Sequence, residues 1–271
     1  LYSDGFVYTG FWNGETKEAD FVCLSAFDED TTQTNEAKQA KWIYAGAGGF
    51  YWAGAAAVGS DFVVVGTDDG TGSNDGPAKL LSFHKTTGAI ADTLAITGDQ
   101  RSSLAYSGGS LYFTTKNGSI HKTDIDAVTG KFSNHLSYNN EGFQCTCTPV
   151  VYGGRVYYAI GGGPGAPGSL VVADATTLQT IKDGDQKFEF PLKGYPQGSV
   201  LLSTGYEKES GYLYLYSTYN KTPGGLSMLK IKAGATSYGE ASVIEIYDAK
   251  DYPQYCIASP ICDAQGVIYY K

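Results

Sequence analysis

The stretch TPVVYGGRVYYA, residues 148–159, decides the fold of this chain. Gly153 and Gly154 supply the positive φ angles that a two-residue hairpin turn needs. The β-branched and aromatic residues on both sides of the turn are typical of strands. The stretch therefore predicts two short antiparallel strands joined by a tight turn.

The same hairpin pattern recurs along the chain about every 50 residues, close to the length of a four-stranded propeller blade. A third strand and then an outer strand follow the hairpin, and Lys and Glu on the outer strands discourage edge-to-edge pairing. The repeat predicts an all-β fold, a β-propeller of about six four-stranded blades whose last blade stops after its second strand. The first apolar residues after the six turns are Phe6, Phe62, Leu111, Val156, Leu213 and Val267.

Composition agrees with a chain of short strands and many turns. Its 271 residues include 36 glycines and 9 prolines, which favours frequent turns and few long helices. The even spread of the repeat favours a single domain over residues 1–271. Since the chain begins inside a strand pattern without a signal peptide, we expect it to be cut from a longer precursor.

Net charge and hydropathy argue against a nucleic-acid partner and against a membrane-spanning helix. The net charge is −9 and no run of Lys or Arg is present, which argues against a nucleic-acid partner. No apolar run approaches the roughly 20 residues that a membrane-spanning helix needs.

The third strand of several repeats is followed by an acidic or polar residue and a Thr-Thr-Gly or Val-Thr-Gly turn. This phrase resembles the repeat of PQQ-like propellers, the superfamily named for quinoprotein alcohol dehydrogenases. The family's tryptophan after the turn is suggested by Trp42 in the first repeat, and Phe132 occupies about that place in the third. The phrases are LLSFHKTTG at 80–88, TDIDAVTGK at 123–131 and ADATTL at 173–178.

The resemblance also implies where a ligand would bind. In the family's architecture, the connections between successive blades share a face with the loops between second and third strands. Here these connections combine Gln with aromatic residues, which suit sugars or peptides because they offer stacking area and hydrogen bonds. The alternative is that each Gln ties down its own loop. The candidate ligand-binding residues are Phe50, Tyr51, Trp52, Gln100, Arg101, Gln144, Tyr195, Gln197, Tyr252 and Gln254.

One acidic loop is a weaker candidate for a binding site, in this case for a metal ion. The segment DDGTGSNDG, residues 68–76, carries oxygen ligands at a spacing that could hold Ca²⁺. The closing Glu of an EF-hand loop is missing, so we expect a solvated loop and assign no metal site.

Two functions remain open. The first is a non-catalytic scaffold without a cofactor, extracellular or in the cell envelope, that binds a glycan or a protein or peptide ligand. The second, implied by the resemblance, is a quinoprotein-type dehydrogenase using PQQ and calcium, with Arg101 and Trp52 as contributors. No catalytic residue stands out and vicinal cysteines are absent. Because a fold does not by itself license an enzymatic activity, we favour the scaffold.

Overall fold

The computed structural model describes residues 1–50, 54–163, 166–221, 223–250 and 255–270. Its strands form five antiparallel four-stranded sheets and two two-stranded sheets within these residues. The chain divides into two compact units. Unit 1 consists of residues 1–117 and 122–135, and unit 2 of residues 118–121 and 136–271. The expectation of a single domain over residues 1–271 stays a prediction.

The first three sheets are simple antiparallel meanders in which the strands follow chain order. The first contains β1 (Tyr2–Ser3), β2 (Phe6–Gly10), β3 (Glu18–Ser25) and β4 (Ala40–Ala47). The second contains β5 (Ala56–Val58), β6 (Phe62–Gly66), β7 (Pro77–His84) and β8 (Ile90–Thr97). The third contains β9 (Ala105–Ser107), β10 (Ser110–Thr115), β11 (Ser119–Ile125) and β12 (Phe132–Asn139). The division between the units passes through β11 and β12.

Unit 2 continues the same plan. The fourth sheet contains β13 (Val150–Tyr152), β14 (Arg155–Gly161), β15 (Gly168–Asp174) and β18 (Glu189–Leu192), and a small sheet pairs β16 (Lys182–Asp183) with β17 (Gln186–Lys187). The fifth contains β19 (Leu201–Ser203), β20 (Tyr212–Tyr219), β21 (Gly225–Lys232) and β22 (Ala241–Asp248). The last pairs β23 (Ile261–Cys262) with β24 (Ile268–Tyr269). Five complete sheets and a two-stranded sixth confirm the predicted repeat.

Helical structure in the described residues is limited to α1 (Glu207–Ser210) and a 3₁₀ turn (Tyr238–Glu240). Neither helix is long and apolar enough to cross a membrane.

The predicted hairpin has the predicted register. Val151 faces Val156 and Tyr152 faces Arg155, which leaves a two-residue turn. Gly153 has φ 59° and Gly154 has φ 74°, the left-handed conformation that such a turn requires.

The Thr-Thr-Gly turn receives an aromatic ring from the sheet before it. Gly88 has φ +69°, and a Cβ there would lie 2.5 Å from Cδ2 of Trp42. The indole N–H of Trp42 donates a hydrogen bond of 2.8 Å to the carbonyl of Lys85, in the same turn. Gly130 receives Phe62 in the same way, with 2.5 Å between its Cβ position and Cδ1. Glycine is therefore required at this turn because a side chain would occupy the space of the ring.

Each unit has its own apolar core. In unit 1 the Phe83 ring stacks on Phe21 at 5.8 Å and on Trp42 at 5.5 Å between ring centroids. In unit 2 buried leucines of β20 and β21 pack with Phe188 and Phe190. These cores hold the strand ends, and the loops that leave them, in defined positions.

Candidate functional site

A glycine at the end of a second strand receives a side chain from the connection that leaves the same sheet. A Cβ on any of these three glycines would lie 2.1–2.4 Å from the incoming side chain, closer than real Cβ contacts allow. The incoming residues are all predicted ligand-binding residues, yet each is at most 2% exposed. Their contacts are packing contacts that fix the connection on the sheet. The pairs are Gly10 with Phe50, Gly66 with Gln100 and Gly161 with Tyr195.

Gln100 also ties down its own loop. Its Nε2 donates to the carbonyl of Ser102 and lies 3.2 Å from the Ser102 hydroxyl. That hydroxyl donates in turn to the carbonyl of Thr114 at 3.1 Å. This is the structural role that sequence analysis kept open for the recurring glutamines.

Arg101 lies at the centre of a buried charge cluster in unit 1. Its Nη2 is 2.7 Å from Oε2 of Glu15, 2.8 Å from Oδ2 of Asp68 and 3.0 Å from Oδ2 of Asp99. Asp68 is in the loop between the second and third strands, and Arg101 is in the connection between sheets. The structure therefore brings these two kinds of loop together in unit 1, as the resemblance implied.

Burial governs the acid–base behaviour of this cluster. The side chains of Asp68 and Asp99 are 0% and 1% exposed. Burial raises the pKa of Asp68 to about 7, although Arg101 pulls it the other way, and burial also raises the pKa of Asp99. Lys116, whose Nζ lies 3.9 Å from Asp99, adds a further positive charge.

The cluster allows a test of the metal site that a quinoprotein would need. Glu15, Asp68 and Asp99 each offer an oxygen within 4.8 Å of the others, a spacing that a calcium ion could bridge. However, the guanidinium of Arg101 already pairs with all three carboxylates. A divalent cation would have to displace this guanidinium and face its charge. This donor set therefore does not fit a bound metal.

The acidic loop 68–76 differs in part from the expectation of a solvated loop. Its central residues are exposed, but Asp68 and Asp69 at its start are buried. Asp68 is paired with Arg101, and the carboxylate of Asp69 accepts backbone N–H groups from Thr71 at 2.7 Å and Gly76 at 2.9 Å. These partners compensate the loss of water, which is why both carboxylates can be buried.

In unit 2 the residues of the connections between sheets make different contacts from those in unit 1. Gln144 and Gln197 are half-buried. The hydroxyl of Tyr195 donates to Oε1 of Gln144 at 3.3 Å, and Nδ2 of Asn220 donates to Oε1 of Gln197 at 2.7 Å. Both glutamines are therefore held through their carbonyl oxygens, and within the described residues their NH₂ groups have no hydrogen-bond partner. We call Gln144, Gln197 and Asn220 the amide face.

The side-chain oxygen of Asn220 differs from those of the two glutamines. Its Oδ1 is buried and has no hydrogen-bond partner in the part of the chain that the structure describes. A buried carbonyl oxygen without a partner costs free energy that a ligand donor can recover. Because this oxygen is buried, the groups that the amide face offers at its surface are the NH₂ donors of the two glutamines. Four predicted ligand-binding residues, Tyr51, Trp52, Tyr252 and Gln254, lie outside the described residues.

Sequence reasoning missed a cleft of about 420 Å³ in unit 2. It adjoins the connection that contains Phe143 and Gln144. The rest of its lining comes from the end of β12, the turn that follows it, the fourth sheet and the small β16–β17 sheet. The cluster NNEGF at 139–143, with two amides, a carboxylate and an aromatic ring in one turn, was the available signal. The lining residues are Tyr138, Asn139, Asn140, Glu141, Phe143, Ile160, Lys187 and Glu189.

Several solved structures are similar to this chain. BamB from Moraxella catarrhalis has 17% sequence identity and a TM-score of 0.55, over 98% of this chain and 67% of that one. The quinohemoprotein alcohol dehydrogenase from Comamonas testosteroni has 16% identity and a TM-score of 0.50, over 81% of this chain and 39% of that one. A europium-containing methanol dehydrogenase has 15% identity and a TM-score of 0.51, over 83% of this chain and 50% of that one.

These similarities define the fold. No protein-family model and no curated protein sequence matches the chain. The chain is a β-propeller, and its resemblance to PQQ-like propellers is confirmed at the level of the fold. It spans no more than half of the two dehydrogenases, and the same fold is shared by BamB. The fold is therefore compatible with both functions considered above.

Proposed function

We propose that this chain is a non-catalytic binding propeller that takes a protein or peptide segment on the amide face of unit 2. The observation that carries the proposal is that Gln144 and Gln197 are half-buried and held through their carbonyl oxygens, which leaves their NH₂ groups to donate. An extended polypeptide presents alternating N–H and C=O groups, and side-chain amides can donate to one and accept from the other. Such recognition needs no net charge on the ligand.

The amide face is held in place before a ligand arrives. Tyr195 is fixed over Gly161 and orients Gln144, whose backbone also pairs with Gly161 through hydrogen bonds of 2.6 and 3.0 Å. Asn220 is likewise bonded through its backbone to Tyr195, at 2.7 and 3.1 Å. Groups that are already ordered lose little conformational entropy on binding, which favours affinity.

The charge cluster of unit 1 supports a scaffold over a dehydrogenase. Its three carboxylates all pair with Arg101, so a metal ion would have to displace that guanidinium. A location outside the cell or in the cell envelope is part of the same proposal. Cell fractionation tests that location: the protein is expected in the envelope fraction or the medium, and recovery in the cytoplasmic fraction would contradict it.

The binding proposal is tested with a peptide array and a glycan array in parallel. We expect peptide ligands, and each of Gln144→Ala and Gln197→Ala should weaken their binding by about 1 kcal/mol, the usual value of one hydrogen bond. Tyr195→Phe keeps the ring over Gly161 but removes the hydroxyl that orients Gln144, so a smaller loss is expected. Gln179→Ala, at an exposed glutamine elsewhere in unit 2, is the matched control.

Two results would overturn the proposal. One is a peptide ligand that binds all three variants as tightly as the wild type while their circular dichroism is unchanged. The other is binding to glycans with no peptide bound at any concentration tested.

A further inference from the structure

The cleft of unit 2 is a second site, distinct in its residues from the amide face. Its lining is mainly polar and also includes Ile160 of β14, which is buried. One wall is the turn that carries Glu141 and Phe143, and the other wall carries Lys187 and Glu189 from β17 and β18. We propose that this cleft binds a Lys or Arg side chain of an extended protein segment.

The turn that forms the first wall is fixed by its own hydrogen bonds. The backbone N–H of Phe143 donates to the carbonyl of Asn140 at 3.1 Å. The side chain of Asn140 donates to the carbonyl of Gly118 at 2.9 Å and to the hydroxyl of Tyr158 at 3.2 Å. The wall is therefore formed before a ligand binds.

A glycine is required beneath this turn. Gly118 has φ +90°, and a Cβ there would lie 2.5 Å from the carbonyl oxygen of Phe143 and 2.9 Å from that of Asn140. The ring of Phe143 in this turn is 36% exposed. An exposed aromatic ring at the wall of a cleft suits the methylene groups of a long side chain.

The charges of the cleft favour a cation. Lys187 is engaged by Glu189, with 3.3 Å between Nζ and Oε1. Glu141 is exposed and forms no ion pair within the described residues, so the cleft has one carboxylate in excess. The chain as a whole carries a net charge of −9, which attracts basic partners and repels acidic ones.

The aromatic residues strengthen this preference. Tyr138 and Phe143 both line the cleft, and a cation near the face of an aromatic ring is stabilised by the ring's quadrupole. An anion would meet the excess carboxylate instead, and a neutral ligand would leave it unused. The cleft volume of about 420 Å³ lies within the usual range for ligand sites, roughly 300–1,000 Å³.

The experiment measures binding of fluorescein-labelled, end-blocked heptapeptides by fluorescence anisotropy. The peptides carry Arg, Lys, Gln or Glu at two alternate central positions in an otherwise Gly-Ser sequence. We expect the Arg and Lys peptides to bind at least tenfold more tightly than the Gln peptide, and the Glu peptide to bind most weakly. Binding of the Arg peptide should weaken as the salt concentration rises.

Two variants test the cleft itself. Glu141→Gln should weaken binding of the Arg peptide about threefold, as expected for an exposed ion pair. Phe143→Ala should weaken it about fivefold, since it removes a cation–π partner and part of the apolar surface. Glu209→Gln removes the same charge from an exposed position of unit 2 outside the cleft and should leave binding unchanged.

The proposal is overturned if Glu141→Gln and Glu209→Gln have equal effects, or if the Gln peptide binds as tightly as the Arg peptide. It is also overturned if Gln197→Ala abolishes binding of the Arg peptide while Glu141→Gln has no effect. That last result would place the peptide on the amide face and leave the binding function intact. The two proposals can therefore fail separately.

Discussion

The connection that leaves the second sheet and the connection that leaves the fourth sheet occupy the same place in the repeat, yet they do different things. Each sends one buried side chain onto a second-strand glycine, Gln100 onto Gly66 and Tyr195 onto Gly161. In the second sheet the next residue, Arg101, is enclosed by carboxylates. In the connection that leaves the fourth sheet, Gln197 is half-buried and its Oε1 accepts a hydrogen bond from Asn220.

The difference shows how charge restricts the use of a position. A buried guanidinium must be paired with carboxylates, and buried carboxylates in turn need the guanidinium, so Arg101 is committed to its three carboxylates. A neutral amide can be held by one hydrogen bond through its oxygen and still offer its NH₂ group. The same place in the repeat therefore serves stability in unit 1 and, in our proposal, binding in unit 2.

Removal of Arg101 should produce the largest effect. Arg101→Met leaves Asp68 buried without its counter-charge and Asp99 with Lys116 alone, at 3.9 Å, and we expect the free energy of unfolding to fall by about 3–5 kcal/mol. Urea unfolding followed by circular dichroism measures it, with Lys17→Met, at an exposed lysine of unit 1, as the control. A loss no larger than that of the control would show that the cluster does not support unit 1.

A side chain at Gly161 should have the next largest effect. Its Cβ would lie 2.1 Å from Cδ2 of Tyr195, so Gly161→Ala must displace the ring, at a cost of about 1–3 kcal/mol. Gly205→Ala is the matched control because no atom lies within 4 Å of its Cβ position. Equal urea midpoints for the two variants would contradict the packing role of Tyr195.

A smaller effect concerns pH. Because burial raises the pKa of Asp68 from 3.8 to about 7, the folded state favours the neutral carboxyl. The resulting stability is fully present below about pH 4 and is lost as the pH rises through 7. We expect the urea midpoint to depend less on pH in Asp68→Asn than in the wild type between pH 5 and 8.

Comparing these two pH dependences removes the contribution of other titrating groups. Burial lowers the pKa of His135, for example, which acts in the opposite direction over part of this range but is present in both proteins. Parallel curves for wild type and Asp68→Asn would show that Asp68 titrates normally.

The smallest expected effect is that of adding the quinone cofactor PQQ to the protein. Because Arg101 occupies the centre of the carboxylate cluster, titration with PQQ and Ca²⁺ should give neither stoichiometric uptake nor dye-linked oxidation of alcohols. Calorimetry and absorbance measure uptake, and a sample with EDTA is the control. Tight stoichiometric uptake that EDTA reverses would support the dehydrogenase alternative and contradict the scaffold.

Much of the fold could be predicted because its signals are local. A Gly-Gly turn between β-branched residues specifies a hairpin within a dozen residues, and the observed register of Val151 with Val156 follows from it. The glycines that receive the incoming side chains could also be located from the sequence. Gly10, Gly66 and Gly161 each end a second strand, but the sequence does not show which distant side chain covers them.

The sequence by itself determined the repeat, the strand order within each sheet and the position of the connections between sheets. Only the tertiary structure decided which side chains of those connections are buried and which remain available. Arg101 meets Glu15 from 86 residues away and Asp68 from 33 residues away. Burial and ion pairing depend on such distant partners, and no local pattern specifies them. The same reason applies to the cleft, whose two walls come from separate sheets and meet only after the chain has folded.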